Sequence, residues 1–517
     1  GAYVSGELMA QRLQSITITA PGFAGINTQD APLAQDPTFA SVADNCIIDK
    51  EGRIAARKGY EMVSSNGSSV LGSSAGIEAV HQFRDEAGNT KVFTAGNNKI
   101  FTGTSTLADA TPGSYTVSAN NWKIVNFNSK AYFFQRGHEP LVYSNSAGAV
   151  QKMSAHSGAS GTPPQANEVL AAFGRLFVAD FATDKSTVFF SDVLDGTDWN
   201  SGSAGSIDIS NFWPNGYDEI VALAAHNDFL VIFGQDSILL YSGAESPASM
   251  TLADTISNIG CVSRDCVVST GKDLLFLDRS GMRSIARTIQ EKSSPIGDIS
   301  KNVNSDIKAL IASETGNIKT LYSAKEAFVL VNFPALQQVF VFDTRFPLQD
   351  GSHRATTWTA IAPLSFTNLA DDTIYLGVST GLAQYAGYDD NNGAYQLSYF
   401  SHPLAFGDSS VLKFLKKVNL TTFDGAEAPV VLNWSYDYSN AYKKQVYTLP
   451  ANNAAQYNIS EYNTTAEYSG SLNLINRQKI NTSGSGAVVS VGVESTVNGK
   501  SIAIQQLNIH ALLGRIV

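Results

Sequence analysis

The sequence predicts an all-β fold, namely a β-propeller of six or seven irregular blades followed by a C-terminal β-sandwich-like domain. Three observations favour this fold class. Charged residues are only 16% of the chain, and 42 Gly accompany many Asn, Ser and Thr, which is typical of short strands joined by tight turns. Paired apolar segments recur through the middle of the chain. Near residue 395 this pattern gives way to strands that alternate apolar and polar residues.

The clearest predicted hairpin lies within residues 219–243. Two apolar runs, residues 229–233 and 238–241, flank four turn-forming residues. Successive side chains of a strand point to opposite faces, so a run that is apolar at every position predicts burial on both faces. Propeller blades meet this condition because each blade packs between two neighbours.

Seven hairpins of this kind are predicted along the chain. Their second strands begin near residues 100, 141, 188, 238, 282, 339 and 382, an irregular period that brackets the blade repeats of about 40 to 50 residues found in propellers. The paired segments are 92–93 with 100–101, 131–134 with 141–143, 176–178 with 188–190, 229–233 with 238–241, 274–277 with 282–285, 328–331 with 339–342, and 374–376 with 382–385.

The irregular period predicts long connections, of which residues 144–167 and 288–318 are the largest. Within the second connection, four apolar residues keep helical spacing and predict a short helix, the best in the chain: Ile299, Val303, Ile307 and Leu310.

The strands after residue 395 predict a sandwich with one wet face. Their alternation is clearest where Val489, Val491 and Val493 fall on one side, opposite Ser490, Gly492 and Glu494. A one-residue shift in the last strand predicts a β-bulge near Gln505 and Gln506. We therefore divide the chain into a strand and loop segment, 1–65, that packs on the C-terminal β domain, a propeller, 66–395, and a β-sandwich-like domain, 396–517.

The composition also bounds function. A formal net charge of −11 disfavours tight, nonspecific DNA binding, which needs a dense basic surface. The three cysteines are an odd number, and Cys261 and Cys266 fall on opposite faces of any regular strand, so we expect no disulfide framework. No run of about 18 apolar residues and no signal peptide are visible, so we expect a soluble, unsecreted chain with no membrane-spanning segment, for which Met9 is a plausible natural start.

Two motifs are similar to catalytic signatures, but an ordinary loop or turn explains each of them better. Residues 72–76 match G-x-S-x-G, but a Ser/Gly-rich linker stands where the nucleophile elbow needs a strand. Residues 192–199 are similar to the Asp-box turn of sialidases, but Leu194 stands where the aspartate belongs. We interpret this segment as a turn capped by Asp195 and Gly196, with Trp199 packed between blades.

The remaining candidates are scattered polar residues. The seven histidines show no metal-binding spacing, and residues 389–393 (DDNNG) lack the spaced acidic ligands of a calcium loop, so a tight turn is expected. Two basic pairs, Lys416-Lys417 and Lys443-Lys444, could contact DNA or a neighbouring subunit, although solvated surface is the default. The sequons at Asn419 and Asn433 do not indicate N-glycosylation, because no secretion is expected. We predict no catalytic, cofactor-binding or metal-binding residues and no cofactor.

Four segments carry a family resemblance: residues 25–32 (GINTQDAP), 43–60, 174–199 and 263–285. They resemble the tail tube, or nozzle, proteins of short-tailed bacteriophages. The resemblance implies a structural virion protein that forms a homo-oligomeric ring, with six copies expected, at the distal end of the tail. It also implies a tail adaptor and tail fibre or other tail proteins as partners, assembly in the bacterial host cytoplasm, and double-stranded DNA passing through the channel during genome ejection without specific binding.

The alternative is a propeller-type carbohydrate-binding protein or glycosidase, which would need paired carboxylates on converging loops. Since no reactive constellation has both the residues and the context that it requires, we expect no enzymatic activity. For the conduit, we expect an acidic or neutral-polar inner wall, because unpaired Lys or Arg would hold the phosphates.

Overall fold

The computed structural model describes residues 13–73, 76–292, 298–451 and 475–517. Within them the chain is built almost wholly of strands, so the all-β prediction is confirmed, and the strands form a seven-bladed propeller joined to a β-sandwich. In each blade the first strand lies nearest the axis. First strands of neighbouring blades contact one another from blade 1 to blade 4 and from blade 5 to blade 7, and the contact of Ser365–Asn368 with Ala79–Arg84 closes the ring.

The blades are numbered in chain order. Blade 1 holds Ala79–Arg84, Thr90–Gly96, Lys99–Thr102 and Ala108–Asp109; blade 2 holds Lys123–Phe127, Lys130–Phe134, Leu141–Ser144 and Val150–Lys152; blade 3 holds Glu168–Ala172, Arg175–Ala179, Thr187–Phe190 and Gly205–Asp208; blade 4 holds Ile220–His226, Phe229–Gly234, Ser237–Ser242 and Thr251–Ser257; blade 5 holds Val267–Ser269, Leu274–Asp278 and Gly281–Ser284; blade 6 holds Lys319–Ser323, Phe328–Phe333, Gln338–Asp343 and Ala355–Trp358; and blade 7 holds Ser365–Asn368, Ile374–Val378, Gly381–Tyr385 and Tyr60–Met62.

The seven predicted hairpins are the second and third strands of the seven blades, and all are confirmed. These middle strands are covered by a blade on either side. In blade 4, for example, every residue from Leu230 to Tyr241 within the two strands is buried, and Phe233 packs 5.1 Å from Phe276 of blade 5. Burial on both faces is therefore the physical reason for their uninterrupted apolar sequences.

Blade 5 differs from the others because it has three strands. Helix Ile285–Glu291 packs on its second and third strands, and the Ser284 side chain caps the helix by accepting from the Arg287 backbone N–H. The sequence did not predict this helix, since residues 288–318 were assigned to a connection. The one helix that the sequence did predict, on Val303, Ile307 and Leu310, is confirmed. It consists of Lys301–Val303 (3₁₀) followed by Asn304–Ser313 (α), and the predicted first position, Ile299, lies just before it.

Blade 7 is completed by a strand from far earlier in the chain. Tyr60–Met62 pairs antiparallel with Gly381–Tyr385, so the outermost strand of the last blade comes from before the first blade. The remaining short helices are the α-helix Gly67–Leu71 and the 3₁₀ helices Pro32–Ala34, Met153–Ala155, Ser210–Phe212 and Pro247–Ser249.

The sandwich combines strands from both ends of the chain. Its first sheet runs in the order Phe39–Asp44, Tyr395–Ser401, Val489–Val497, Pro429–Tyr436 and Lys443–Thr448, with Gly25–Ile26 beside Phe39–Asp44. Its second sheet runs in the order Ile475–Asn481, Val411–Asp424, Ile502–Ile516, Ile54–Ala56 and Cys46–Ile48, with Leu13–Thr19 also paired to Ile502–Ile516.

One hydrophobic core unites the two sheets. It includes Leu432 and Val491 from the first sheet and Leu420 and Ile509 from the second. A parallel bridge between Thr357 and Asp44 joins blade 6 to the first sheet, so the propeller and the sandwich share a continuous sheet.

Two details of the sandwich test the predicted alternation. The bulge is confirmed, because Thr421 pairs with Gln506 while Thr422 pairs with Ile504, which leaves Gln505 unpaired in the register. The prediction of a wet face on Val489–Val497 is wrong, because Ser490 and Gly492 are also buried. A Cβ at Gly492 would lie 2.2 Å from the Phe400 ring, so this face of the strand is covered by its neighbour.

Candidate functional site

Charged side chains occupy one end of the propeller axis. They come from the start of several first strands, or from the residues just before them, and therefore meet where those strands begin. We call this group the axial cluster: Glu78, Asn121, Lys123, Asn167, Glu168, Arg264, Asp265 and Lys319.

Glu168 ties three blades together within the axial cluster. Its carboxylate is fully buried and forms an ion pair with Lys123 of blade 2. It also accepts hydrogen bonds from the backbone N–H groups of Val169 (2.7 Å) and of Leu223 in blade 4 (3.0 Å). Burial raises the pKa of Glu168, and the Lys123 charge opposes that rise. Both oxygens are thus engaged by fixed donors.

The second half of the axial cluster is centred on Asp265. Its carboxylate faces the Arg264 guanidinium at 3.0 and 3.1 Å, and Lys319 Nζ lies 3.7 Å away. Burial pushes the pKa of Asp265 upward, but the Arg264 and Lys319 charges outweigh burial and hold that pKa below its ordinary value. Lys319 also donates to Glu78 O (2.7 Å) and Asn121 Oδ1 (2.8 Å), which brings blades 1 and 2 into the network.

A cavity of about 220 Å³ lies on the axis beside the axial cluster. It is lined by the first strands of blades 1, 2, 5, 6 and 7 and includes His81 and Phe366. His81 Nε2 donates a 2.7 Å hydrogen bond to Asn126 Oδ1, and enclosure by the blades lowers the pKa of His81 to about 4, so it is neutral at pH 7. Among the described residues, paired charges and this small cavity therefore occupy this end of the propeller axis.

A second buried charge joins the propeller to the sandwich. Arg57 follows the strand Ile54–Ala56, and its side chain is 0% exposed. The guanidinium binds both oxygens of Asp390 at 2.8 Å, donates to Asn45 Oδ1 at 3.1 Å, and stacks 3.9 Å from the centre of the Tyr395 ring. The Tyr395 hydroxyl donates back to the Arg57 carbonyl. We call these four side chains the Arg57 junction.

The structure places the predicted turn motifs as follows. Residues 389–393 form a turn in which Gly393 N donates to Asp390 O (3.0 Å), and the Asp390 carboxylate is engaged by Arg57. In the 192–199 segment, Asp195 accepts from Thr197, and Trp199 Nε1 donates to Gly196 O (2.9 Å). Trp199 packs against the cluster between blades 2 and 3, as the capped-turn interpretation predicts.

The other candidates stay apart from any reactive site. An α-helix, Gly67–Leu71, precedes the G-x-S-x-G match, and Ser74 lies outside the described residues. The three cysteines are buried and free. Among the described residues, no three His, Cys, Asp or Glu side chains are grouped so that they could hold a metal ion. Likewise, no helix in the described part of the chain is long and apolar enough to cross a membrane. The sequon residues Asn419 and Asn433 are both buried.

The axial cluster and the Arg57 junction were not predicted. Their partners lie far apart in sequence: Lys319 and Glu78 are 241 positions apart, and Arg57 and Asp390 are 333 positions apart. One signal was available: in a chain with only 16% charged residues, Lys123, Glu168 and Lys319 stand singly at the front of apolar strands. A lone charge in that position points to a buried partner.

Comparison with known proteins gives one family. Residues 89–371 match the family described as bacteriophage P22 Gp10, β-propeller. No curated protein matches the chain. Similar solved structures include YCF48 bound to D1 peptide (9% identity, TM-score 0.37, 68% of this chain and 99% of that one) and the Pan2 WD40 domain of Neurospora crassa (9%, 0.36, 64% and 95%). A third is the computationally designed Ika8 protein (9%, 0.35, 67% and 98%).

Proposed function

Because the chain belongs to the family of the bacteriophage P22 Gp10 β-propeller, we propose that it is a structural subunit of a phage tail that builds the distal, nozzle-like channel of a short tail. The family match is the observation that carries the proposal, since it runs from the second strand of blade 1 to the first strand of blade 7. In this role the subunit is part of the virion after assembly in the bacterial host cytoplasm, and it serves genome ejection.

The closed axis favours a channel between subunits over a channel through one propeller. A DNA duplex, whose major groove alone is about 12 Å wide, cannot pass a cavity of about 220 Å³ that is bounded by the ion pairs of the axial cluster. A conduit made from this chain therefore needs several copies around a common axis. We propose a homo-oligomeric ring of six, attached to a tail adaptor and to tail fibre or other tail proteins, through which double-stranded DNA passes without sequence-specific binding.

The two connections between the propeller and the sandwich support a role in which the subunit must stay rigid. The propeller and sandwich share a continuous sheet through blade 6, and the Arg57 junction fastens the same pair of units at blade 7. Two separate attachments resist rotation of one unit against the other. A channel subunit that transmits force during ejection needs this stiffness.

The alternative, a glycosidase or carbohydrate-binding propeller, finds less support. Glycosidases use two carboxyl groups about 5 to 9.5 Å apart, one of which is free to ionise and attack or to activate water. At the axis the carboxylate of Glu168 is held by Lys123, and that of Asp265 is held by Arg264. We therefore keep the prediction that the chain has no hydrolase activity, and incubation with host surface polysaccharides tests it directly.

The mass of assembled tails, or of the purified recombinant ring, tests the proposal. Native mass spectrometry should give six copies of a 55.2 kDa chain per tail. A stoichiometry that cannot close into a ring contradicts the channel role, and polysaccharide turnover that is lost on changing one carboxylate would favour the alternative.

A further inference from the structure

The outer surface of the second sandwich sheet forms a regular polar ladder. The pairing registers place twelve side chains in three rows across four strands, and the residues between them face the core. Two of the twelve, Asn419 and Thr421, are buried, so the exposed part of the surface lies around them. We call this surface the basic face. Its rows are Asn481, Lys417, His510 and Ser15; then Lys479, Asn419, Asn508 and Thr17; and then Arg477, Thr421, Gln506 and Thr19.

The composition of the basic face is unlike that of the rest of the chain. In a chain of net charge −11, it holds Lys417, Arg477 and Lys479 with no carboxylate in any of the three rows. The ion pairs formed among the described residues include none of these three cations. Arg477 and Lys479 are exposed, and Lys417 is half-buried. Within the described part of the chain, the face is therefore a local cationic surface.

The pKa of His510, the histidine in the first row, is affected by the positive charges of the basic face. Burial, together with the charges of Lys417 and Arg477, lowers the pKa of His510, so the ring is neutral at pH 7. It shares a 2.6 Å hydrogen bond with Ser15 Oγ and lies 3.3 Å from Asn419 Nδ2. His510 thus contributes hydrogen bonding, and the positive charge comes from Lys417, Arg477 and Lys479.

The residue types identify the kind of partner. Protein interfaces have apolar or aromatic residues at their centre and few charges there. The basic face has the reverse arrangement, because its three rows are polar and cationic and apolar residues such as Leu13 and Ile475 lie only at its two ends. Single-stranded nucleic acids stack their bases on aromatic platforms, which the three rows lack. Lys, Arg, Ser, Thr, Asn and Gln are the side chains that contact the phosphates and sugars of duplex DNA.

The dimensions fit the same partner. Four strands about 4.8 Å apart and three rows about 6.8 Å apart give a nearly square surface about 14 Å on each side. Arg477 and Lys479 are two residues apart on one strand, so their Cα atoms lie about 6.8 Å from each other along it. That equals the rise of two nucleotides, at about 3.4 Å each, along the axis of a duplex.

We propose that the basic face binds the backbone of double-stranded DNA without regard to sequence. The inference goes beyond the channel role, because it assigns a DNA-contacting surface to the single chain and does not require a ring. The net charge led us to expect an acidic or neutral-polar channel wall. The basic face would be a local exception to that expectation. Where this face meets the duplex, DNA is retained instead of sliding freely.

Binding of a 25-base-pair duplex to the purified chain tests the proposal, with fluorescence anisotropy read at 50 to 200 mM salt. Each neutralised phosphate contributes about 0.9 to the slope of log affinity against log salt. Three contacts predict that affinity falls at least about 40-fold across this range. The variant Lys417→Gln/Arg477→Gln/Lys479→Gln should lose most of the binding and reduce the slope by about 2.7.

The matched control is Lys443→Gln/Lys444→Gln, which removes an exposed basic pair from the edge strand of the other sheet. This control should bind like wild type, and equal thermal unfolding of all three proteins should show that the substitutions leave the fold intact. Wild-type binding that is absent at 50 mM salt, unchanged in the triple variant, or equally reduced in the control overturns the proposal. Tighter binding of a single strand of equal length, or loss of self-association in place of DNA binding, also overturns it.

Discussion

Removing one charge from the Arg57 junction should loosen the contact between propeller and sandwich. The change Asp390→Asn keeps the size of the side chain but leaves the fully buried Arg57 guanidinium without its counter-charge. The two groups meet at 2.8 Å with side-chain exposures of 0% and 12%. At this distance the Coulomb energy is about 6 kcal/mol for an effective dielectric constant near 20.

The net effect on stability is smaller than the Coulomb energy, because water would otherwise solvate both groups. Breaking a buried pair from one side costs about 3–5 kcal/mol. The cost should appear first in local opening of the turn beside the junction. There the Asn391 N–H donates to Tyr60 O (2.8 Å) and the Tyr60 N–H donates to Asp389 O (3.1 Å).

Hydrogen exchange of these two amides is the assay. A loss of about 3–5 kcal/mol in local stability corresponds to exchange that is faster by about 100-fold to several thousand-fold. The control is Glu427→Gln, which breaks the exposed pair with Lys500 at 3.2 Å (side-chain exposures 64% and 55%) and should cost less than about 1 kcal/mol. If Asp390→Asn protects these amides as well as Glu427→Gln does, the junction does not fasten the two units.

Two further changes test the packing of the blades. Burial raises the pKa of Asp343 to about 6, against 3.8 in the unfolded chain. The ionised carboxylate therefore lowers the free energy of unfolding by about 3 kcal/mol at pH 7, and this loss disappears as the pH falls from 6 towards 4. Asp343→Asn should therefore stabilise the protein at pH 7 and not at pH 4, and parallel urea-unfolding free energies across pH 4 to 7 would contradict this. Gly196→Ala places a Cβ 2.5 Å from Tyr132 Cζ and should lower the free energy of unfolding in urea by about 1–3 kcal/mol. The control Gly113→Ala, whose Cβ has no atom within 4 Å, should lower it far less. Equal losses in the two variants would show that blades 2 and 3 are not close-packed at this point.

The parts of the fold that could be predicted are those with uniform burial. The second and third strands of the blades contain apolar runs because a blade covers each face, as in Phe229–Gly234, Ser237–Ser242 and Phe328–Phe333, and this pattern is visible without knowing the neighbours. First and fourth strands mix environments. Lys123–Phe127 begins with an ion-paired lysine at the axis, and Gly205–Asp208 is largely exposed, so neither has a regular period.

The errors also have physical causes. Helix Ile285–Glu291 buries only Ile285 and Thr288 fully, which leaves too short an apolar stripe to reveal its period. Ser490 and Gly492 look solvent-facing because they are small and polar, yet small residues are required where Phe400 packs on the strand. The axial cluster depends on partners that only ring closure brings together, so no local pattern contains it.

The mixed origin of the sandwich strands sets the order in which the molecule can fold during synthesis. Leu13–Thr19 and Ile54–Ala56 leave the ribosome early, but both pair with Ile502–Ile516, which is made nearly 450 or more residues later. At about 5–20 residues per second, they wait on the order of half a minute to more than a minute. Throughout that interval Leu13–Thr19 lacks its neighbour and presents an open edge, and Val411–Asp424 does the same from its own synthesis until Ile502–Ile516 is made. A ribosome that stops between residues 385 and 502 therefore releases a chain that holds every blade strand but lacks Ile502–Ile516, the strand that joins both ends of the chain in the second sandwich sheet. Such a chain is prone to pair with others of its kind through the open edges.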